Sequence, residues 1–393
     1  MLDIFLAGLF FTSATLVVYH HVGYPILLKW VCRTRPINDG AQTERRYQAC
    51  KADRARPSIT ILVPAYNEQL WIAEKIRNLS CLDYPRDSYK VIIACDGCTD
   101  NTVEIAEATI QEAICSETYF EIVNFANNRG KTALINHMMA IIDSDITALS
   151  DVSALISVDA LLLAEQHFRA PNVGVVNSHY QMLDSVNQGE LKYWHYQAMV
   201  QQGEATLGAN IGAHGALFFF RTHLFQPLSS NTINDDFIIP MTIVRAGHDA
   251  VYEPNVNALE LEACSQANDF KRRLRISAGN MQQTILLAEL LLPRYKAVAF
   301  TFASGKTLRL ITPYLMLICF FSSLLLSTQP LFFTLLLIQI TTYLVAVLGL
   351  VLPTIFSHRY IQFLSYFITG HSANLYGGLR YIFGRENNHW KRI

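Results

Sequence analysis

SITILVPAYNE, residues 58–68, joins a short run of aliphatic and β-branched residues to a polar cluster. Such a run favours a strand with both faces buried. Proline cannot donate to a sheet ladder, so Pro64 predicts the end of the strand. We therefore expect a buried strand over Ser58–Val63, with Ala65, Tyr66 and Glu68 just beyond it.

The alternation of strand, polar cluster and amphipathic helix continues along the chain to about Leu290. It predicts a doubly wound α/β domain, because parallel strands require helical crossovers. The further predicted elements are a helix over 69–79, a strand over 90–94, a helix from 101, a strand over 120–124, a helix over 132–142 and a strand over 147–150.

Polar clusters follow all four predicted strands, at residues 64–68, 95–100, 127–131 and 151–153. In open α/β sheets, ligands bind beyond the carboxyl ends of the strands. Asp and Asn in such turns often only cap the next helix, which describes Asp100 and Asn101 equally well. Together, however, the four clusters predict a pocket that can hydrogen-bond a nucleoside base, with Lys131 available for phosphate oxygens.

Charged residues make up 16% of the 393 residues, against about 25% in soluble globular domains. The deficit is local, because residues 4–28, 310–357 and 360–379 contain no Asp, Glu, Lys or Arg. The net charge of −1 excludes a strongly basic surface for nucleic acid. The cysteines are scattered and indicate free thiols; Cys95 and Cys98 match a redox C-x-x-C, but they fall inside the second polar cluster.

The first uncharged stretch is long enough to cross a hydrocarbon core of about 30 Å, and the start of the chain lacks the basic region of a cleaved signal peptide. Basic residues from Lys29 to Arg46 follow it and predict that the next segment is cytosolic. The second stretch can cross twice around a turn at Ser327–Pro330. We expect an anchor over 1–31, a cytosolic domain over 50–300 that ends in interfacial helices, and two spans over 308–353.

The segment 360–393 mixes polar with apolar residues and ends in a basic tail. A fourth span would place those cations outside the cell, so we favour an interfacial helix and keep a fourth span as the alternative.

Eight motifs run along the chain: VPAYNE (63–68), DGCTDNT (96–102), NRGKTALIN (128–136), SDVS (150–153), GAHGALFFFR (212–221), NDDFIIP (234–240), AGHDAVYEP (246–254) and RRLRISAGN (272–280). In order and spacing they resemble the membrane-bound branch of the family 2 glycosyltransferases, which have the GT-A fold and use nucleotide sugars; the branch includes exopolysaccharide, hyaluronan and cellulose-type synthases. The resemblance covers nearly the whole chain.

The resemblance implies that Asp96 and the residues Pro64, Ala65, Tyr66 and Glu68 line the nucleoside pocket, with Lys131 near that end of the pocket or near the phosphates. It also implies that Asp151 binds the diphosphate and a cation, Mg²⁺ or Mn²⁺, which prefers oxygen ligands. Ser153 stands where the family's D-x-D element has its second carboxylate. Asp143-Ser144-Asp145 spells D-x-D literally, but we interpret it as a turn at the wrong end of a strand.

By the same resemblance, Asp236 is the catalytic base and Asp235 supports it. A carboxylate suits this role because the acceptor hydroxyl must lose its proton as it attacks the anomeric carbon, which implies inversion. Gly212, His214 and Gly215 would form the acceptor-side loop, with His214 a less favoured candidate base.

Arg272 and Arg275 match the arginines that hold the diphosphate leaving group, although basic residues beside a membrane also contact anionic lipid. Ile276 stands where the family has a tryptophan on the acceptor side, which weakens the case for processive polymerisation.

We therefore expect a multi-pass inner-membrane hexosyltransferase that uses a UDP-sugar, contacts membrane lipids and extends a saccharide or lipid-linked acceptor in cell-surface or exopolysaccharide synthesis. Export or polymerisation partners are expected, and nucleic acid is not. The rival activity is single-sugar transfer directly to a lipid such as polyprenyl phosphate or a ceramide-like acceptor. Outside that class, a transporter subunit or an inactive scaffold remains open; a transporter would be expected to have ionisable residues within residues 310–357.

Overall fold

The computed structural model of the chain describes residues 1–34, 48–183, 188–262 and 266–385. It divides into two units: one contains mainly Met1–Trp30 and Gln266–Glu386, and the other contains mainly Val31–Val186 and Trp194–Ser265. The second unit holds the β-sheet. The first is helical.

The sheet has eight strands: β1 (Ile59–Ala65), β2 (Tyr89–Asp96), β3 (Tyr119–Phe125), β4 (Ile146–Leu149), β5 (Ala154–Ile156), β6 (Val173–Met182), β7 (Phe218–Arg221) and β8 (Asp249–Glu260). Their order is β3-β2-β1-β4-β7-β6-β8-β5. The first four pair in parallel around β1, as predicted. β7 is antiparallel to both of its neighbours, so the sheet is mixed and not uniformly parallel.

Pro64 does not end the first strand, contrary to the prediction. β1 continues to Ala65, which pairs with Cys95 of β2. On its other side, β1 pairs with β4 only as far as Leu62. A residue without an N–H fits at Pro64 because one side of the strand is already free of ladder bonds there.

The helices are α1 (Leu2–Val18), α2 (Tyr24–Thr34), α3 (Ile72–Ser80), α4 (Thr102–Thr109), α5 (Lys131–Met139), α6 (Ala160–Phe168), α7 (Gln188–Thr206), α8 (Asp235–Arg245), α9 (Gln266–Leu286), α10 (Ala297–Thr301), α11 (Leu308–Leu325), α12 (Pro330–Val351) and α13 (Arg359–Ile382). α3 begins later than predicted because Gln69 hydrogen-bonds to the second polar cluster: its N–H donates to Asp100, and its side-chain oxygen accepts from the N–H of Asn101.

Both faces of the parallel half of the sheet are covered. Ile59, Ile61 and Val63 of β1 share one buried cluster with Ile72 and Ile76 of α3. α5 packs against β1 and β2, and its inward side chains are buried as well. This double burial explains why β1 is apolar at successive positions instead of alternating.

Among the residues that the structure describes, three helices are long and apolar enough to cross a membrane: Leu2–Thr34, Ala297–Leu325 and Pro330–Val351. The predicted break before Pro330 is present as a turn between α11 and α12. α13 packs against α9 and α12, and Ser277 of α9 donates a hydrogen bond to the Asn374 side chain of α13 at 2.9 Å. Whether α13 is interfacial or a fourth span stays a prediction. Most of the basic flank after α2 and the tail beyond residue 385 lie outside the described residues.

Candidate active site

The polar clusters after β1 and β2 are joined by side-chain hydrogen bonds. The Asn67 side-chain oxygen accepts from the N–H of Thr99 at 2.8 Å, and the N–H of Glu68 donates to the Thr102 hydroxyl at 2.7 Å. Asp100 accepts from the N–H of Thr102 at 3.1 Å, so it also caps α4. Pro64 and Ala65 are buried within β1 and can offer a ligand only backbone atoms, whereas Tyr66 and Glu68 are partly exposed.

Asp96 joins the second cluster to the third. Its carboxylate is fully buried and accepts hydrogen bonds from the backbone N–H groups of Arg129 and Gly130, the latter at 2.7 Å. The Arg129 guanidinium lies over the Phe125 ring at 3.7 Å from the centroid. Asp96 therefore fixes the loop that precedes Lys131, a role that the sequence did not predict, and its contact with a base stays a prediction.

Lys131 connects the third cluster to the fourth and to the start of α8. Its Nζ lies 3.0 Å from Oδ1 of Asp151 and 3.3 Å from Oδ2 of Asp235. Burial alone would lower the pKa of this ammonium, but Asp151, Asp235 and Asp236 outweigh burial and raise it. The lysine therefore stays charged at neutral pH and joins residues that lie far apart in the sequence.

Asp235 and Asp236 form the first turn of α8, where the helix dipole favours negative charge. Asp235 is buried, whereas the Asp236 side chain is partly exposed. The backbone carbonyl of Asp236 accepts from the N–H of Ala213 at 3.1 Å, which attaches the glycine-rich loop to the helix. Of the two carboxylates, Asp236 is thus the better placed to meet a ligand.

The loop around His214 depends on two glycines. Gly212 has φ +73°, and a Cβ there would lie 2.4 Å from the Phe237 ring; a Cβ on Gly215 would lie 2.7 Å from Oδ2 of Asp151. His214 stacks on Tyr180 with the ring centroids 3.7 Å apart, and its Nδ1 accepts from the N–H of Ala216. In the neutral ring Nε2 then carries the proton, so His214 is suited to donate a hydrogen bond rather than to act as a base.

Two charged residues that the sequence did not single out lie beneath Asp151. Glu260, at the end of β8, accepts a hydrogen bond from the Ser153 hydroxyl. Burial raises the pKa of Glu260, and this effect outweighs the hydrogen bond, which lowers it. Lys75 of α3 is fully buried and donates to the Ser150 hydroxyl at 2.6 Å. Burial lowers the pKa of Lys75 to about 7, although Asp151 and Glu260 act in the opposite direction.

A signal for Lys75 was present in the sequence, because it stands in the apolar i, i+3, i+4, i+7 pattern with Ile72, Ile76 and Leu79. A charged residue at such a position is expected to find a buried partner. Glu260 had no comparable signal, since its place beside Ser153 depends on the pairing of β8 with β5.

The structure does not test Arg272 and Arg275. Both lie on α9, in the helical unit, where the Arg275 side chain is exposed. Their contact with a diphosphate stays a prediction. By contrast, Asp143-Ser144-Asp145 occupies the turn before β4, where Asp145 accepts from the N–H and the hydroxyl of Ser58 at 2.8 Å. It lies at the edge of the sheet opposite the polar clusters, as we expected.

The oxygen groups around Asp151 fit a hard cation that shares a substrate's phosphates. No cluster of three or more His, Cys, Asp or Glu side chains suited to a metal occurs among the described residues. Asp151 and the Ser153 hydroxyl nevertheless supply oxygen donors on one turn, and Mg²⁺ commonly uses one or two carboxylates together with phosphate oxygens. This donor set is compatible with a cation that binds together with a diphosphate.

Residues 57–279 match the family model described as glycosyltransferase like family 2. A stretch of 150 residues is 28% identical to the beta-monoglucosyldiacylglycerol synthase of Nostoc sp. and covers 38% of this chain and 31% of that protein. A stretch of 229 residues is 22% identical to the poly-beta-1,6-N-acetyl-D-glucosamine synthase of Staphylococcus aureus and covers 56% of this chain and 54% of that protein. The chain thus matches between a third and about half of the length of these curated relatives.

Among solved structures, the chain is similar to the mannosyltransferase PcManGT from Pyrobaculum calidifontis, solved in complex with GDP-Man and Mn²⁺. The TM-score is 0.69 at 20% identity, and the likeness covers 96% of this chain and 100% of that one. This likeness confirms the GT-A fold expected from the sequence.

The turn after Asp96 gives a test of this architecture. Gly97 and Gly130 both have positive φ, but a Cβ on Gly97 would lie 2.3 Å from the backbone nitrogen of Asn128, whereas Gly130 has open space. We expect Gly130→Ala to cost about 1–3 kcal/mol of unfolding free energy from backbone strain alone. Gly97→Ala should cost more, because backbone cannot rotate away from the new methyl group. Thermal unfolding of both variants in detergent measures the difference, and equal losses would contradict the close approach.

The thiols of Cys95, near the end of β2, and of Cys98, just beyond it, predict a pH-dependent reactivity. A hydrogen bond from Cys95 lowers the pKa of Cys98 and raises that of Cys95. Because the thiolate is the nucleophile, Cys98 should be alkylated by iodoacetamide at lower pH than the exposed Cys50 and Cys81. Peptide mass spectrometry after brief labelling at pH 6.5 to 8.5 tests this, with Cys98→Ser as the control. If Cys81 were labelled faster than Cys98 at every pH, the hydrogen bond from Cys95 would not lower the pKa of Cys98.

Proposed function

The chain belongs to glycosyltransferase family 2, and on that premise we propose that it is an inverting hexosyltransferase that moves a sugar from a nucleotide sugar to a saccharide or lipid-linked acceptor. The observation that carries the proposal is the position of the Lys131 ammonium, which lies within 3.3 Å of both Asp151 and Asp235. Asp235 is followed directly by Asp236, whose side chain is partly exposed. The Lys131 ammonium would bind a diphosphate, and the nearby Asp236 carboxylate would accept a proton.

Asp236 is the proposed base. It would accept the proton of an acceptor hydroxyl as that oxygen attacks the anomeric carbon, while the nucleoside diphosphate departs from the opposite face. Asp235 would not compete for this proton, because it is buried and faces Lys131. Gly212 and Gly215 would let the acceptor approach the backbone of the loop, and the Nε2–H of His214 would donate to a sugar hydroxyl.

The donor would bind along the polar edge formed by the strand ends. Tyr66, Glu68 and the backbone of Pro64 and Ala65 would line the nucleoside, for which we propose uridine. Lys131 would hold diphosphate oxygens. Asp151 and Ser153 would hold Mg²⁺ or Mn²⁺, which when bound would neutralise charge that develops on the leaving diphosphate.

The acceptor class has two candidates. The similarity to a poly-beta-1,6-N-acetyl-D-glucosamine synthase supports a saccharide acceptor in cell-surface or exopolysaccharide synthesis. Two observations favour direct transfer of one sugar to a membrane lipid: Ile276 stands at the tryptophan position of the synthases, and a second relative is a beta-monoglucosyldiacylglycerol synthase. The size and solubility of the product distinguish the two.

We propose a multi-pass protein of the inner membrane with its catalytic domain in the cytosol. Three helices of sufficient length among the described residues, and the cations Lys29 and Arg33 at the end of the first of them, support this orientation. Nucleotide sugars would then meet the donor site on the side where they are made. Export of a long polymer would require an oligomer or another protein.

The decisive change is Asp236→Asn, which keeps the size of the side chain but removes the base. We expect transfer to fall by about 10²- to 10⁴-fold, the usual contribution of a positioned base. Membranes that contain the wild type or the variant are incubated with a panel of radiolabelled nucleotide sugars, with and without Mn²⁺. Label is then measured in organic extracts and in material of high molecular mass.

Asp143→Asn is the matched control, because Asp143 belongs to the literal D-x-D at the opposite edge of the sheet and is 90% exposed. It should leave transfer unchanged. Transfer by Asp236→Asn equal to wild type would eliminate Asp236 as the base, and no wild-type transfer from any donor would favour an inactive scaffold.

A further inference from the structure

Lys75 is a buried lysine that the proposed chemistry does not use. It lies on α3 with no exposed surface, between the apolar side chains of Ile72, Ile76 and Leu79 in the helical pattern. Burying an amine or an ammonium is costly, and an aliphatic residue would continue this pattern without that cost. The groups that Nζ contacts are therefore the feature to explain.

The contacts of Lys75 are concentrated on one turn of the chain. Its Nζ donates to the hydroxyl of Ser150 at 2.6 Å and to the carbonyl of Ala154 at 2.5 Å. These residues are the two ends of the turn that carries Asp151 and Ser153, and the turn is closed by a weak bond from the N–H of Ala154 to the carbonyl of Asp151. Lys75 thus holds both ends of the turn with a single atom.

The same network reaches the acceptor-side loop. The Ser150 hydroxyl, which accepts from Lys75, donates to the carbonyl of Ala216 at 2.6 Å. The N–H of Asp151 donates to the carbonyl of Gly215 at 3.1 Å. The hydrogen bonds from Lys75 to Ser150 and from Ser150 to Ala216 therefore fix the position of the Asp151 turn relative to residues 215–216.

These bonds do not require the positive charge. A neutral amine still has two N–H donors, which is the number that Ser150 and Ala154 accept. The charged form has Asp151 and Glu260 as its electrostatic partners. In both forms, the groups around Lys75 are Ser150 after β4, Ala154 at the start of β5 and Glu260 at the end of β8. All three belong to the turn 150–154 or pair with it.

We propose that Lys75 is a positioning residue for the donor site: it holds the turn 150–154 in the form in which Asp151 and Ser153 can bind a cation together with a nucleoside diphosphate. The inference rests on the proposed function, because it takes Asp151 and Ser153 as the cation ligands. Groups that orient metal ligands commonly contribute 10- to 100-fold to metal affinity, which sets the size of the expected effect at about one to two orders of magnitude.

The test compares nucleotide-dependent Mn²⁺ binding with thermal stability in the full-length protein. In Lys75→Met, Mn²⁺ binding in the presence of UDP or GDP, followed by the electron paramagnetic resonance signal of free Mn²⁺, should weaken by about 10- to 100-fold. Methionine can pack in the apolar site but leaves the Ala154 carbonyl without its donor, so the melting temperature should fall moderately, and affinity is measured on the folded protein. A purely structural lysine would also lose stability but would keep wild-type affinity in the folded fraction.

Three variants complete the experiment. Lys90→Met removes a partly exposed lysine that pairs with Asp143 on the opposite edge, and it should leave binding unchanged. Ser150→Ala breaks the same network without removing a buried charge, so it should weaken binding even if Lys75→Met fails to fold. Wild-type affinity in Ser150→Ala, or in folded Lys75→Met, would overturn the proposal.

Asp151→Asn separates failure of this inference from failure of the proposed function. If Asp151→Asn loses Mn²⁺ binding while Lys75→Met retains it, only the role of Lys75 is wrong. If Asp151→Asn binds Mn²⁺ as the wild type does, or if the wild type binds neither nucleotide with Mn²⁺, the donor site itself is wrong, and the inference is overturned with it.

Discussion

The ammonium of Lys131 is the contact on which the rest of the catalytic unit depends. Asp151 follows the last strand of the parallel half, whereas Asp235 begins α8, and the two would repel each other without a cation between them. Lys131 can reach both because Asp96 fixes the backbone just before it. One charge thus brings residues from three separate motifs into a single site.

The site concentrates negative charge at an edge of the sheet, next to two lysines. Lys131 contacts the carboxylates of Asp151 and Asp235, and Lys75 donates hydrogen bonds to both ends of the turn that carries Asp151. An arrangement of this kind is pre-organised, because polar groups are already oriented before a ligand binds and need not be reorganised during a reaction. Beside this turn, Glu260 brings a carboxyl group next to the Ser153 hydroxyl from another strand.

The predicted strands were close to correct because runs of buried aliphatic residues identify strands that are covered on both faces. The predicted end of β1 was wrong because it depends on where the pairing of β1 with β4 stops, at Leu62, which no local rule reveals. The antiparallel β7 and the pairing of β8 with β5 were not predicted, since pairing partners are set by contacts across many residues of sequence. Helix ends moved where a side chain such as Gln69 had a better partner outside the helix.

The sequence by itself determined the class of the protein: two of the uncharged stretches predicted helices long and apolar enough to cross a membrane, and the motifs at the polar clusters indicated the family. Only the tertiary structure decided how the residues at these clusters divide their work. In the fold, the Asp96 carboxylate holds the loop before Lys131 by hydrogen bonds. Asp235 contacts Lys131, whereas Asp236 stays partly exposed. Lys75 donates to Ser150, the residue before Asp151. The reason is that charge and hydropathy patterns act locally along the chain, whereas hydrogen bonding and burial depend on which segments the fold brings together.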